Sequence, residues 1–187
     1  MNIFVLDEDP AQAAMMMCDK HIPKMILESA QMLSTAHRLL DGNPTKKRSR
    51  SGKSMVTYYA FGDIRDSLYY TAVHTGHPCT KWTMETSQNY NWHFYHFASL
   101  SKEYFFRRGK QHATWEKLGM ILAAPPVNIK EGARTEWAQA MDKFPNCKVP
   151  GNAVQAYRNY YHATKHFAKW EWGREAPYWW EGYKGYE

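Results

Sequence analysis

The chain has 187 residues, 44% of them hydrophobic, and a formal net charge of +6, which fits one globular domain with its own core. Its three cysteines are widely spaced, so composition argues against a disulfide framework and favours a reducing cytoplasm. The amino terminus lacks the basic region of a signal peptide, and no apolar run reaches the length of a membrane span. The excess of cations favours an anionic partner, most commonly nucleic acid.

The pattern of apolar residues predicts a mainly α protein: a compact helical bundle with irregular loops. Asp9 and Pro10 are a typical helix start, Gly109 a typical helix end, and Asn152 a typical N-cap. No linker divides the chain, so residues 1–187 are expected to form a single domain with an aromatic tail at 172–187. The expected elements are an extended segment or strand at 2–7 and helices at about 9–20, 23–40, 63–73, 80–108, 112–122, 134–141 and 153–170.

Two segments concentrate basic residues. KKRSRSGKS at 46–54 is predicted to be a loop; it resembles the end of a phosphate-binding P-loop, but Lys47 stands where that motif needs glycine, which argues against nucleotide binding. Its cations Lys46, Lys47 and Arg48 either contact a phosphate backbone or face solvent. In the last predicted helix a second set of cations shares one face, formed by Arg158, His162, Lys165 and Lys169. These side chains likewise either follow a phosphate backbone or face solvent.

Several histidines raise the question of a metal site. His93 and His96 lie three residues apart in the long predicted helix, while His74 and His77 precede Cys79. Zinc sites usually contain paired cysteines or a His-Glu-x-x-His motif, and this chain has neither. We therefore expect these histidines to pack and form hydrogen bonds, with no bound metal.

The segment CDKHIPKMILESAQ, residues 18–31, contains an unusual polar stripe. His21, Lys24, Glu28 and Gln31 are spaced by three, four and three residues, so they share one helix face between apolar neighbours. Lys24 favours the carboxylate form of Glu28 and burial opposes it, which is the environment of a general base or electrostatic stabiliser. The alternative is an ordinary Lys–Glu pair that stabilises the helix.

Four stretches together resemble the phage pyrimidine-dimer DNA glycosylases of endonuclease V type and their bacterial relatives. They are MNIFVLDEDP followed by DKHIPKMILE, HPCTKW at 77–82, LSKEYFFRRG at 100–109, and the aromatic end YWWEGYKGYE. The resemblance covers about half of the chain, in patches. It implies a small, basic, helical protein whose amino terminus lies beside a glutamate, here Glu28.

The resemblance also implies a mechanism without cofactor or metal. An α-amine, here that of Met1 because bulky Asn2 disfavours its removal, attacks C1′ of a damaged nucleotide, and Glu28 stabilises the charge on the sugar. The expected partner is damaged double-stranded DNA, with no membrane and no obligate protein partner. The residues expected to contact DNA are His21, Lys24, Lys46, Lys47, Arg48, Lys81, Trp82, Arg158, Lys165 and Lys169.

Two other interpretations stay open on the sequence alone. A nucleic-acid-binding protein without catalytic activity explains the charge and the aromatic residues equally well. An enzyme that modifies a DNA base or nucleotide on a similar helical scaffold is the third possibility, since a fold does not determine a function.

Overall fold

The computed structural model describes residues 1–49 and 51–186, and within them it confirms the mainly α class. Two long helices are accompanied by five shorter ones, one β-hairpin and two 3-10 turns at Ile121–Ala123 and Pro145–Cys147. In chain order the elements are α1 (Pro10–Met15), α2 (His21–Asp41), β1 (Asn43–Arg48), β2 (Met55–Ala60), α3 (Arg65–Leu68), α4 (Pro78–Glu85), α5 (Ser87–Arg108), α6 (Ala113–Leu118) and α7 (Ala153–Thr164).

The core lies where α2 and α5 pack against each other, with α1 and α4 alongside. Helix α2 contributes Met25, Ile26 and Leu33, and α5 contributes Tyr90 and Phe97, all fully buried. Residues 3–6, which precede α1, are buried in the same cluster and belong to no strand. The amino-terminal segment therefore packs inside the core, and this packing fixes the position of the first residues.

Several predicted helix boundaries are wrong for local reasons. Helix α1 ends at Met15, and α2 begins at His21, so Pro23 lies in its first turn, where proline is tolerated. The helix predicted at 80–108 is two helices, because Thr86 is extended (φ −143°, ψ 158°) and its hydroxyl accepts a hydrogen bond from Asn89 N. No helix forms at 134–141, and α7 ends at Thr164, although Asn152 caps its start as predicted.

The basic segment predicted as a loop is largely a β-hairpin. Strands β1 and β2 pair antiparallel, from Asn43 opposite Ala60 to Arg48 opposite Met55. Lys46, Lys47 and Arg48 therefore lie on a strand. The β-branched and aromatic run MVTYYA at 55–60 was the signal for pairing, and it outweighs the poor strand propensity of NPTKKR.

Four histidines of the core are neutral in the folded protein. Burial lowers the pKa of His21 and His93 to about 3 and that of His37 and His96 to about 4. His93 Nδ1 lies 2.8 Å from Thr83 Oγ1, and His96 Nδ1 lies 3.0 Å from Pro10 O. In the part of the chain that the structure describes, no three His, Cys, Asp or Glu side chains are grouped to hold a metal ion.

Because these histidines are neutral in the folded protein, we predict that acid destabilises the fold. Their pKa values in the fold lie below the ordinary 6.5, so only the unfolded chain binds protons between pH ~6.5 and ~4. Stability is therefore expected to fall as the pH drops through that window. Urea unfolding at pH 7.5 and 5.0 measures this loss of stability, and His93→Phe should make the loss smaller. An equal loss in this variant and the wild type would contradict the role given to His93.

Among the described residues, no helix combines the length and apolar character that crossing a bilayer requires.

Candidate active site at the amino-terminal amine

The first residues of the chain are held in one place. The Asn2 side chain donates to Ala140 O at 3.0 Å and accepts from Ile3 N at 2.8 Å, and Asn2 is itself buried. Two residues later Phe4 has φ 55°, a left-handed conformation that is strained for a residue other than glycine. The Phe4 ring packs 4.6 Å from the His21 ring and 5.5 Å from that of Tyr161. This packing maintains the strained turn and so orients Met1.

The terminal amine lies beside Glu28. Met1 N is 3.6 Å from Glu28 Oε2, and Asn2 N donates to the same oxygen at 3.1 Å. Lys24 Nζ is 3.6 Å from the other oxygen, Oε1. Glu28 has only 14% of its side chain exposed, whereas Lys24 has 63%. An amine and a carboxylate thus face each other in a partly desolvated site, where electrostatic interactions are stronger than in water.

Met1 lies partly at the surface. Its side chain is only 4% exposed, although the residue as a whole is partly exposed. Its accessible area therefore lies mainly on main-chain atoms. The apolar side chain anchors the terminus.

His77 is a neighbour of this site that the sequence suggested only as a metal ligand. Burial lowers its pKa, the positive terminal amine lowers it further, and Glu28 opposes both effects. His77 caps α4, its Nδ1 accepting from Cys79 N at 3.2 Å. A neutral His77 therefore carries its proton on Nε2, and the ring is close enough to the amine and Glu28 for their charges to act on its pKa.

Lys165 supplies a second unusual amine. Burial is the main cause that lowers its pKa to about 8, with the charge of Lys24 adding to the effect and Glu28 opposing it. Its Nζ lies 4.3 Å from the ring centre of Tyr160 and 5.1 Å from that of Phe4. Lys165, one of the cations of the predicted basic stripe, is therefore half-buried at the end of α7, with two aromatic rings against its amine, and its contact with DNA stays a prediction.

The other members of that stripe are also engaged elsewhere. Arg158 Nε donates to Leu6 O at 3.0 Å, and the guanidinium lies 3.6 Å from Asp7. Both ring nitrogens of His162 lie within 3.0 Å of carbonyl oxygens in the tail. Lys169 follows the end of α7 and pairs with Glu171 at 3.2 Å. Helical spacing failed as a guide here because α7 is shorter than predicted.

Two further residues expected to contact DNA are buried. His21 is 4% exposed, and its Nδ1 shares a hydrogen bond with the Tyr161 hydroxyl. Trp82 is 3% exposed, and its ring stacks on Trp137 at 6.4 Å. Both side chains support the core, and their contact with DNA stays a prediction. Lys24, Lys81 and the β1 cations remain exposed.

No family model, curated protein or solved structure matches this chain. The case for a function therefore rests on the geometry around Met1 and Glu28.

Proposed function

We propose that the protein is a DNA repair glycosylase with an associated abasic-site lyase, acting on damaged pyrimidines in duplex DNA. The observation that carries the proposal is the terminal amine held 3.6 Å from Glu28 Oε2. A primary amine is the nucleophile that forms a Schiff base with a sugar carbon, and an adjacent carboxylate supplies proton transfer and charge stabilisation. The resemblance in sequence to pyrimidine-dimer glycosylases supports this choice of chemistry.

The first half of the proposed reaction removes the base. The Met1 ammonium first loses a proton to solvent. The neutral nitrogen then forms a bond to C1′ as the C1′–N glycosidic bond breaks, and the base leaves with that electron pair and takes a proton from solvent. Glu28, as a carboxylate, stabilises the positive charge that develops on the sugar. Glu28 then accepts a proton from the new C–N centre and passes it to O4′ as the sugar ring opens to an imine.

The second half cleaves the strand. Glu28, again a carboxylate, removes a proton from C2′, and the electron pair forms the C2′–C3′ double bond as the 3′ phosphate leaves. Water hydrolyses the imine and regenerates the amine. His77, with its proton on Nε2, and Lys24, on the exposed side of Glu28, are placed to hold the phosphates or sugar hydroxyls around the reacting carbon.

A strand-cleavage assay tests the proposal. We expect nicks at adjacent pyrimidines in an ultraviolet-irradiated duplex, in EDTA, and no nicks in the unirradiated duplex. Cleavage of both duplexes at equal rates would indicate a nuclease of another kind. Binding of both without cleavage would contradict the proposal.

A nucleic-acid-binding protein without catalytic activity is the second candidate, and the exposed cations of β1 favour it. That alternative explains the charge of the hairpin but gives no role to the paired amine and carboxylate. It predicts salt-dependent binding of DNA with no covalent intermediate.

A further inference from the structure

The positive charge of the protein is concentrated in the hairpin. Residues 43–60 contain five Lys or Arg and no Asp or Glu, so they hold +5 of the formal net charge of +6. The rest of the chain is close to neutral. Among the described residues, no carboxylate forms an ion pair with Lys46, Lys47, Arg48 or Lys53. The hairpin is thus the strongest attractor for a polyanion on the molecule.

The cations lie on both faces of the ribbon. Side chains alternate along a strand, so Lys46 and Arg48 share one face and Lys47 lies on the other. Every residue of β1 is exposed. Lys46 Nζ bonds to Thr57 Oγ1 at 2.8 Å, and Lys47 Nζ lies 5.9 Å from the Tyr58 ring centre, so both extend across the strand pair. A flat anionic surface would meet one face only, whereas a DNA groove has phosphates on both walls.

The hairpin is rigidly attached at its base. Arg38 of α2 donates to Tyr59 O at 2.8 Å, Tyr70 O at 2.6 Å and Asp66 Oδ1 at 3.0 Å. A side chain at Gly42 would place its Cβ 2.6 Å from the Arg38 carbonyl oxygen, so only glycine allows this close turn. The ribbon therefore projects from the end of α2 in a defined direction.

The same helix connects the hairpin to the candidate active site. Asp41, the last residue of α2, lies thirteen positions after Glu28, which at the helical rise per residue is about 20 Å. That distance corresponds to about six base pairs of B-form DNA. One duplex is long enough to reach from Glu28 to the hairpin end of α2.

We propose that the hairpin Asn43–Ala60 is an arm that enters a groove of duplex DNA and contacts phosphates on both of its walls. A two-stranded ribbon fits the major groove. The choice of duplex DNA as partner rests on the proposed function. The arm holds the substrate while the amine and Glu28 act on a nucleotide about 20 Å away along α2.

The test is the salt dependence of binding to an undamaged duplex, measured by fluorescence anisotropy. The hairpin variant combines Lys46→Gln, Lys47→Gln, Arg48→Gln and Lys53→Gln. The control loses the same charge at exposed lysines elsewhere, with Lys102, Lys110, Lys130 and Lys143 changed to Gln. Four lost phosphate contacts remove about 3.6 from the slope of log K against log salt, equivalent to about 150-fold between 50 and 200 mM.

We expect this loss in the hairpin variant and little change of slope in the control. Two partial variants test the two-faced arrangement: Lys46→Gln with Arg48→Gln, and Lys47→Gln alone, should each lower the slope. Three outcomes would overturn the proposal. The first is an equal loss of slope in the hairpin and control variants, and the second is an effect of only one of the two partial variants. The third is hairpin-dependent binding to single strands or anionic vesicles but not to duplex. Absence of cleavage by the wild type, with the slopes as expected, would overturn only the proposed function.

Discussion

Replacing Glu28 with glutamine is expected to lower the single-turnover rate of strand cleavage at an abasic site by about 10²–10⁴-fold. The amide keeps an oxygen that can accept from Asn2 N, as the carboxylate does at 3.1 Å, so the amino-terminal segment should stay in place. It removes the charge that stabilises the sugar cation and the base that takes the C2′ proton. Because the effect lies in the chemical step, the rate at saturating protein is the quantity to measure.

A matched control for this variant is Glu175→Gln, which neutralises an exposed carboxylate in the tail. It should leave both cleavage and DNA affinity unchanged. Glu28→Gln should also bind undamaged duplex with nearly wild-type affinity. Wild-type cleavage by Glu28→Gln would assign Glu28 to the fold and remove it from the mechanism.

Inserting one asparagine between Met1 and Asn2, which keeps a bulky second residue so that Met1 is retained, is expected to lower cleavage at least about 100-fold. The insertion moves the amine by up to ~3.5 Å, which is comparable with its present distance of 3.6 Å from Glu28 Oε2. Misplacing a reacting group by even ~1 Å can reduce a rate about 100-fold. The cleavage rate on an abasic duplex measures the loss, after mass spectrometry has established the terminal residue of each protein.

The control adds one asparagine after residue 187 and should cleave like the wild type. An inserted protein that retains full activity would show that the terminal amine is not the nucleophile. Lys165 would then be the amine to test, since burial lowers its pKa to about 8 and brings its neutral, nucleophilic form within reach near neutral pH.

Some features of the site could be predicted from local patterns. The spacing of Lys24 and Glu28 placed both on one helix face, and the structure joins them at 3.6 Å. The same spacing placed His21 on that face, yet His21 is buried against Phe4 and Tyr161. Helical periodicity predicts which residues share a face, but it does not predict which other segment packs on that face. The contacts of His21 with Phe4 and Tyr161 could therefore not be predicted from the sequence.

Other features depend on contacts between distant segments. The depressed pKa of Lys165 arises from packing against Phe4 and Tyr160, and the position of His77 near the amine depends on how α4 meets the first residues. The hairpin was missed because β1 has weak strand propensity, and only its pairing with 55–60 stabilises it. Charge counting nevertheless identified 46–54 as a basic segment.

Borohydride trapping on an ultraviolet-irradiated duplex, followed by peptide mapping, tests the central claim most directly. Reduction of the imine would fix the sugar to the protein, and the undamaged duplex is the control. We predict one covalent adduct, on the damaged duplex alone, attached to the α-amine of Met1. Strand cleavage without any trapped adduct would contradict an amine mechanism, and an adduct mapped to a lysine would contradict the assignment to Met1.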